Sequence, residues 1–367
     1  MNASLNEKLG TVKWGEFKYK EVFNRIEQGR RLKKDDQIDG TIPFVMSGTT
    51  NAGVVNYISN PVASFPKNAI TIDIFGNTFY RNYAFGAGDD TGVYWNDATA
   101  YSSNAMLFFA VAMQKSMMGR FSYGKKLRSS QSEDFTMHLP VTDDGTIDFD
   151  FMESFIAELE AERVAELSAY LTVSGLDNYE LSNNEMAIIE RYKKHQIPFS
   201  EFEFIKIFNN IKQGRRLKKD DQLPGDIPFV MSGTTNTGVI GYISNPVARF
   251  PKNSITIDIF GNSFYRNYDF GAGDDTGVYW NTEKEYSRTC MLFFAAAMGR
   301  ALRGKYSYGK KLRSSQSIHF KMQLPTKDGK PDYDAMAALI SAVQKLVIKD
   351  VVAYSNRKIK ATKAVVK

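Results

Sequence analysis

Hydrophobic positions in the first third of the chain form short runs that predict strands. The runs at 41–46 and 69–75 are rich in β-branched and aromatic residues and lie between glycine, asparagine and proline residues, which favour tight turns. The segment 105–113 is apolar on all sides, a pattern that predicts a buried helix. We therefore expect a compact domain of the α/β (α+β) class, built around a mixed sheet.

Two longer segments, 148–171 and 332–354, carry apolar residues at close to helical spacing, with charged residues between them. About 22 residues at 1.5 Å each give a rod of roughly 33 Å. Each segment follows a globular region and precedes polar sequence, so we interpret both as helices that separate two domains. A helix packed on its own domain would show the same pattern. The apolar positions of the two spacer helices are Met152, Phe155, Ile156, Leu159, Leu167, Met336, Leu339, Ile340, Val343 and Val347.

The chain contains the same domain twice. Residues 28–96 align without gaps on residues 213–281, and 59 of the 69 aligned positions are identical. A period of 185 residues indicates a duplicated domain rather than a solenoid, whose units run about 20–50 residues. Two copies of one fold tend to pair about a pseudo-two-fold axis, so we expect a partner with two similar halves.

One polar segment connects the two halves of the chain, and another forms its C-terminal end. Residues 172–196 form a connector with a predicted short helix at 184–194, and the lysine-rich residues 358–367 are predicted to be a frayed tail. The resulting domain prediction has four parts: a first globular domain at 1–147, a spacer helix with its connector at 148–197, a second globular domain at 198–331, and a second spacer helix with a basic tail at 332–367.

The overall charge narrows the range of partners only modestly. There are 47 Lys and Arg residues against 41 Asp and Glu residues, and the formal net charge of +6 is compatible with a polyanion such as nucleic acid. Cys290 is the one cysteine, which excludes an internal disulfide and is typical of a reducing compartment. No apolar stretch approaches the ~18 residues of a membrane span, so we expect a cytoplasmic protein without a membrane partner.

Candidate catalytic groups are scarce. His319 aligns with Asp134 in the first copy, which argues against a catalytic triad or a zinc site in both copies. The run Phe85-Gly-Ala-Gly88 is similar to the glycine-rich loop of S-adenosylmethionine-dependent methyltransferases, but it lacks the apolar strand before it and the helix after it. The acidic pairs at 35–36 and 89–90 suit a metal ion or, more commonly, the capping of turns. We predict no catalytic residue, metal site or cofactor in this chain.

Positive charge is concentrated in loops that both copies preserve. Cations in these loops suit phosphate, and the amides and hydroxyls beside them suit base edges. Exposed faces and turn caps have the same composition, but loops kept only for solubility would have been free to diverge. The predicted DNA-contacting residues of the first copy are Arg30, Arg31, Lys33, Lys34, Thr49, Thr50, Asn51, Arg81, Asn82, Lys125, Lys126, Arg128, Ser129, Ser130 and Gln131. Those of the second copy are Arg215, Arg216, Lys218, Lys219, Thr234, Thr235, Asn236, Arg266, Asn267, Lys310, Lys311, Arg313, Ser314, Ser315 and Gln316.

Several short motifs follow one another in the same order in both copies. Each copy begins with an aromatic pair, as in Trp14-x-x-Phe17, continues through motifs such as Gly29-Arg-Arg-Leu32, and closes with Tyr123-Gly-Lys-Lys-Leu127 before an Asp-Gly turn that enters the long helix. This order resembles that of the specificity (S) subunits of type I and type IIB restriction–modification systems. The resemblance covers nearly the whole chain and implies that each globular unit is a target-recognition domain.

The resemblance also implies how the chain acts. The two long helices would pack antiparallel as a coiled-coil spacer and dock two methyltransferase, or fused restriction–modification, subunits. Those subunits would bring S-adenosylmethionine, the methylation of DNA and any cleavage. In many members the two recognition domains differ, whereas here they nearly coincide, so we expect a bipartite, near-palindromic target in double-stranded DNA. Half-sites of about 3–4 bp, centred roughly 10 bp apart, leave an unread spacer of about 6 bp.

A few surface positions differ between the copies, notably the pairs Ser64 and Arg249, Ala84 and Asp269, Ser103 and Arg288, and Thr41 and Asp226. If one of these side chains reaches a base edge, the two half-sites differ at one position. Two other function classes stay open: a duplicated DNA methyltransferase or nuclease that acts alone, and an interaction scaffold that does not bind DNA.

Overall fold

The computed structural model of the protein describes residues 3–365, and within them the chain forms eight α-helices and 21 strands. The chain divides into two compact units. One comprises the described residues up to Leu167 together with those from Arg357 onward, and the other comprises Ser168–Asn356. Both have the mixed α/β architecture that the sequence predicts.

The first recognition domain contains three helices and ten strands within the described residues. The helices are α1 (Ala3–Thr11), α2 (Tyr19–Val22) and α3 (Ser103–Met117). The strands are β1 (Trp14–Lys18), β2 (Arg25–Gln28), β3 (Asp39–Val45), β4 (Val54–Ile58), β5 (Ser64–Phe65), β6 (Ala69–Asp73), β7 (Thr78–Arg81), β8 (Phe85–Ala87), β9 (Thr91–Trp95) and β10 (Thr136–Pro140). The strands predicted at 41–46 and 69–75 correspond to β3 and β6, and the helix predicted at 105–113 is the centre of α3.

These strands form three sheets. One has the order β2-β9-β6-β7 and is antiparallel throughout. A second has the order β4-β3-β8-β5, and its β3–β8 pair is parallel, so the sheet is mixed as expected. The third is the antiparallel pair β1–β10.

Helix α3 supplies the core that supports the first of these sheets. Ser102 caps the helix, because its hydroxyl accepts a 3.0 Å hydrogen bond from the Ala105 N–H. Phe109 and Met113 on α3 are fully buried together with Tyr94 on β9. Each such side chain contributes about 1.5–3 kcal/mol when it is removed from water. The core therefore fixes the positions of β6 and β9 and of the residues at the ends of these strands.

The first spacer helix, α4 (Phe149–Val173), matches the predicted segment to within two residues at each end. Asp148 caps it, because its carboxylate accepts a 2.8 Å hydrogen bond from the Phe151 N–H. Gly175, with φ +66°, ends it in the left-handed conformation common after helices. The connector then forms α5 (Asn183–Lys193), one residue earlier than predicted and capped by Ser182.

The second recognition domain repeats the first. Its helices are α6 (Phe204–Ile207) and α7 (Arg288–Leu302), and its strands are β11 (Phe199–Glu203), β12 (Asn210–Gln213), β13 (Pro224–Val230), β14 (Val239–Ile243), β15 (Arg249–Phe250), β16 (Ser254–Asp258), β17 (Ser263–Arg266), β18 (Phe270–Ala272), β19 (Thr276–Trp280), β20 (Lys321–Lys327) and β21 (Lys330–Pro331). The sheet orders β12-β19-β16-β17 and β14-β13-β18-β15 correspond to those of the first domain, and β11-β20-β21 forms the third sheet.

The second spacer helix, α8 (Tyr333–Val365), is longer than the sequence predicts. The interpretation of the lysine-rich end as a frayed tail is wrong for residues 358–365, which continue the helix, while residues 366 and 367 lie outside the described residues. In the first unit, Lys358 of α8 forms an ion pair with Glu160 of α4 at 2.7 Å. Both side chains of this pair are 41% exposed, so the pair contributes at most about 1 kcal/mol to holding this part of the helix.

The first turns of both spacer helices pack on their own domains. Met152 and Phe155 belong to the core of the first domain, and Met336 to that of the second. Leu339 is buried beside Ile188 of α5. A partner-docking role for these four predicted positions is therefore wrong, because their side chains are already covered. Further along α8, Val343 is 46% exposed and Val347 75% exposed.

Candidate nucleic-acid interface

The polar loop, residues 47–53 between β3 and β4, is held by two acidic side chains. The Asp73 carboxylate accepts hydrogen bonds from the Ser47 hydroxyl at 3.1 Å and from the Gly48 N–H at 3.0 Å. Asp90 accepts one from the Ser47 N–H at 3.0 Å. Because Asp73 ends the buried strand β6, the core determines where the loop lies. Its tip, residues 49–51, stays exposed, so the predicted hydroxyl and amide groups face solvent.

Arg81 holds the far side of this loop from inside the fold. Its side chain is 1% exposed. Its Nη2 donates to the Ala52 carbonyl oxygen at 2.6 Å, its Nε to the Thr71 hydroxyl at 3.1 Å, and its Nη1 to the Tyr83 hydroxyl at 3.2 Å. These acceptors are all neutral, and burial lowers the pKa of the guanidinium, an effect that the Tyr83 hydroxyl opposes.

The prediction that Arg81 and Arg266 contact DNA directly is wrong for this structure, because neither side chain reaches the surface. Arg266 is also 1% exposed and donates to both the hydroxyl and the carbonyl oxygen of Thr237, at 3.0 and 2.5 Å. Strand alternation already indicated this burial. Arg81 is two residues from Phe79 on β7, so both side chains lie on the same face of the strand, and the guanidinium carbon of Arg81 lies 5.2 Å from the centre of the Phe79 ring.

The part of the polar loop that accepts the hydrogen bond from Arg81, and its equivalent in the second domain, has an unusual backbone conformation. Asn51 and Ala52 are consecutive residues with φ of 48° and 50°, and Asn236 and Thr237 repeat this with 47° and 52°. Side chains other than glycine rarely adopt this region, and each such residue costs on the order of 1–3 kcal/mol. The loop therefore depends on its acidic and arginine contacts to keep this shape.

The basic loop, residues 124–131, is fastened to the backbone at Asp89. The Asp89 carbonyl oxygen accepts hydrogen bonds from Arg128 Nη1 and, at 3.0 Å, from Gln28 Nε2. Gln28 Oε1 accepts in turn from the Ser129 N–H at 2.9 Å. Gln131 caps the short turn at the end of the loop, with its Oε1 accepting from the Arg128 N–H at 3.0 Å. The second domain repeats these four contacts at the equivalent residues.

Serine burial corrects one further pair of assignments. Ser129 and Ser314 are each 5% exposed and lie under their loops, so they are excluded as direct contacts to DNA. All the other predicted DNA-contacting residues are exposed in both domains. One aromatic residue per domain was missing from the prediction: Tyr123 and Tyr308 are each 83% exposed, and a lysine Nζ lies 4.8 and 4.7 Å from the respective ring centroid. Both tyrosines begin the Tyr-Gly-Lys-Lys-Leu motif that the two copies share, and this repetition could have identified them from the sequence.

A groove lies beside these loops in the first domain. It has a volume of about 670 Å³ and carries three cations, one carboxylate and two amides on its walls. Its lining residues are Arg31, Leu32, Lys33, Lys34, Gln37, Met46, Val55, Asn56 and Asp89. The cationic excess suits phosphate, and the amides and the carboxylate suit the donor and acceptor pattern of base edges.

The acidic pair at 89–90 joins the segments that the sequence singled out separately. Asp89 lines the groove and receives Arg128 of the basic loop, while Asp90 receives Ser47 of the polar loop. Segments far apart in the chain therefore share one neighbourhood in each domain, and Asp274 and Asp275 play the same parts in the second. The Asp90 carboxylate accepts hydrogen bonds from the Ser47 N–H and the Thr91 hydroxyl, whereas the contacts to Asp89 reach its backbone carbonyl oxygen. In the part of the chain that the structure describes, no group of three His, Cys, Asp or Glu residues is arranged to hold a metal ion.

A helix that crosses a membrane must be long and largely apolar. Across residues 3–365, none of the helices combines the length and the apolar character that crossing a bilayer requires.

Comparison with known proteins places these loops in context. A family model described as "Type I restriction modification DNA specificity domain" matches residues 11–169 and again residues 200–352. The specificity subunit S.BcgI of the type II restriction enzyme BgcI, from Heyndrickxia coagulans, is 29% identical over 155 residues. That alignment covers 41% of this chain and 45% of the relative, so the match spans less than half of the relative's length.

Two solved structures of specificity subunits align with most of this chain. The S subunit of a type I restriction-modification system from M. genitalium aligns with a TM-score of 0.55 at 14% identity, covering 97% of this chain and 94% of that chain. The HsdS subunit from Thermoanaerobacter tengcongensis aligns with a TM-score of 0.31 at 12% identity, covering 94% of this chain and 91% of that chain. At such identity, the first alignment shows a shared fold.

Proposed function

The chain belongs to the family of type I restriction modification DNA specificity domains, of which it contains two, and on this premise we propose that it is the sequence-reading subunit of a restriction–modification complex. One observation carries the proposal: the polar loop, the basic loop and the cationic groove meet at Asp89 and Asp90. The loop contacts recur at Asp274 and Asp275 in the second domain. The groove in the first domain and the loop contacts in both domains support phosphate binding and base reading by one surface.

The chemistry of DNA reading divides between these features. The exposed cations of the basic loop and the groove neutralise phosphates and set the register on the duplex. Base edges are left to the amides and hydroxyls, which include Asn51 at the tip of the polar loop. Arg81 and Arg266 support that tip from within and do not touch DNA.

The proposed target is bipartite and near-palindromic, because the two domains are nearly identical. In this proposal, the long helices α4 and α8 set the spacing between the two half-sites. The 25 residues of α4 correspond to about 37 Å, close to one turn of B-DNA. Half-sites of about 3–4 bp would then be separated by about 6 bp.

An apolar stripe on α8 is the proposed docking surface for methyltransferase subunits. Val343, Leu346, Val347 and Val351 are 46, 49, 75 and 39% exposed. Their spacing of three and four residues puts them on one helix face. A water-exposed apolar stripe of this kind is typical of a contact with another polypeptide. The partner subunits would bind S-adenosylmethionine and perform the chemistry, while this chain performs none.

The proposal is tested by selecting duplexes from a randomised DNA library with the purified chain, and by purifying the tagged chain from its host. We expect one enriched two-part sequence and two methyltransferase polypeptides per chain. The variant Val347→Glu should release these polypeptides, whereas Lys349→Glu, on the opposite side of the helix, should retain them. Methyl transfer by the chain alone, or the absence of any enriched sequence, would overturn the proposal.

A further inference from the structure

Ten aligned positions distinguish the two domains between residues 28 and 96. The pairs are Ile38 and Leu223, Asp39 and Pro224, Thr41 and Asp226, Ala52 and Thr237, Val55 and Ile240, Asn56 and Gly241, Ser64 and Arg249, Ala69 and Ser254, Thr78 and Ser263, and Ala84 and Asp269. Two of them, at Val55 and Asn56, line the groove. The first exchanges one apolar side chain for another, so Asn56 is the groove position at which hydrogen-bonding groups differ.

Asn56 is held in a defined orientation. Its Oδ1 accepts a 2.9 Å hydrogen bond from the Tyr57 N–H, and its Nδ2 donates a 2.9 Å hydrogen bond to Gln37 Oε1. The second bond orients the Gln37 amide as well. Gln37 lies just before β3 and Asn56 on β4, so the pairing of these two strands brings the amides together. The first domain thus has two mutually oriented amides on the groove wall.

The second domain keeps the glutamine but loses its partner. Gln222 corresponds to Gln37, and Gly241 stands where Asn56 would orient it. Gly241 on β14 has no atom within 4 Å of the position that a Cβ would occupy. The missing amide is therefore a difference in chemistry, and the backbone of the second domain has room for it.

Three of the other polar differences are less suited to base reading, because neighbours in their own domain already bind these side chains. Arg249 donates from Nη2 to the Ser244 carbonyl oxygen at 3.1 Å. The Asp269 carboxylate accepts from the Lys252 N–H at 2.7 Å. Thr237 is engaged by the buried guanidinium at 3.0 Å.

We propose that Gln37, positioned by Asn56, reads an adenine-containing base pair in the first half-site, and that the second domain does not discriminate at the corresponding pair. An oriented amide donates to adenine N7 and accepts from N6, and the Gln37 carbonyl oxygen retains a lone pair for this. The cations Arg31, Lys33 and Lys34 bring the phosphate backbone to the same groove. The target is then asymmetric at one base pair, with a preference of about tenfold in one half only. This inference rests on the proposed function.

The test compares the base preferences of full-length variants in a randomised duplex library. Asn56→Gly should remove the preference at one position of one half-site. Gly241→Asn should create the matching preference in the other half-site and so produce a symmetric target. Val55→Ile is the matched control, since it introduces the residue of the second domain beside the same groove without changing hydrogen-bonding groups, and it should leave the selected sequence unaltered.

The possible outcomes are distinguishable. Symmetric half-sites in the wild type, or an unchanged selected sequence for both Asn56→Gly and Gly241→Asn, would overturn this inference and leave the proposed function standing. Because Gly241→Asn adds a group where there is space, its result decides the matter even if Asn56→Gly fails to fold. A wild-type chain that enriches no sequence would overturn the proposed function and this inference with it.

Discussion

The Arg81 guanidinium donates a 2.6 Å hydrogen bond from Nη2 to the carbonyl oxygen of Ala52, a residue held at a φ of 50°. A buried cation thereby fixes a strained exposed loop, and the second domain repeats the arrangement. Both the desolvated charge and the left-handed backbone cost free energy. Neither would be needed merely to close a turn, and under the proposed function this fixed loop shape serves recognition.

We expect the double variant Arg81→Lys with Arg266→Lys to lose sequence discrimination. Lysine keeps the charge but cannot donate to the three acceptors that the planar guanidinium reaches. The ratio of affinities for the selected duplex and a scrambled duplex should fall at least about tenfold. The measurement is a pair of binding titrations, with Arg163→Lys on α4, an exposed arginine outside the predicted DNA contacts, as the control. A correctly folded double variant with the wild-type ratio would show that the hydrogen bonds from Arg81 and Arg266 have no part in recognition.

Removing the basic-loop arginines should weaken binding to all DNA sequences. Arg128 and Arg313 are exposed, and each has donors left beyond its bond to the backbone. We expect Arg128→Ala with Arg313→Ala to lower affinity for selected and scrambled duplexes alike, by about tenfold or more. Arg163→Ala on α4, which removes an exposed cation away from these loops, is the control. Unchanged affinity would remove the basic loop from the interface.

Salt should weaken the complex steeply. Each phosphate neutralised by a cation contributes a slope of about −0.9 to the logarithm of affinity against the logarithm of salt concentration. With two sets of exposed lysines and arginines, the wild-type slope should exceed about 4 in magnitude. The arginine double variant should have a slope smaller by about 2. A slope near zero would mean that phosphates do not dominate the interaction.

Acid should weaken the contact between α5 and α8 in the second unit. Although burial opposes its ionisation, hydrogen bonds from Lys345, Ser341 and Ser182 lower the pKa of Glu185 to about 2. The ordinary glutamate pKa is about 4.3. A lowered folded pKa means that the contribution is complete above about pH 4.3 and is lost as the pH falls toward 2.

The variant Glu185→Gln should remove this acid dependence and destabilise the second unit at pH 7. Denaturant unfolding and amide hydrogen exchange of α5, measured from pH 7 to pH 3, check both effects. Glu190→Gln is a suitable control, because Glu190 is exposed and pairs with Lys193 one turn along the same helix. Identical pH profiles for wild type and Glu185→Gln would contradict the expectation.

The two domains and the long helix α4 could be predicted from the sequence, because these features depend on repetition and periodicity. Identity between the copies predicted two equivalent domains, and the 3.6-residue spacing predicted α4 to within two residues at each end. It underestimated α8 because lysines beyond residue 357 carry no apolar period, although the helix continues to residue 365.

By itself, the sequence determined the duplication, the fold class and the loops that carry charge, since all three are local or repeated properties of the chain. Only the tertiary structure decided which polar side chains are available. Arg81 belongs to a polar motif but lies inside, because strand alternation and sheet pairing turn it toward Phe79 and Ala52. Gln37 and Asn56 meet across paired strands 19 residues apart, a proximity that hydrogen bonding in the sheet creates and linear order does not contain.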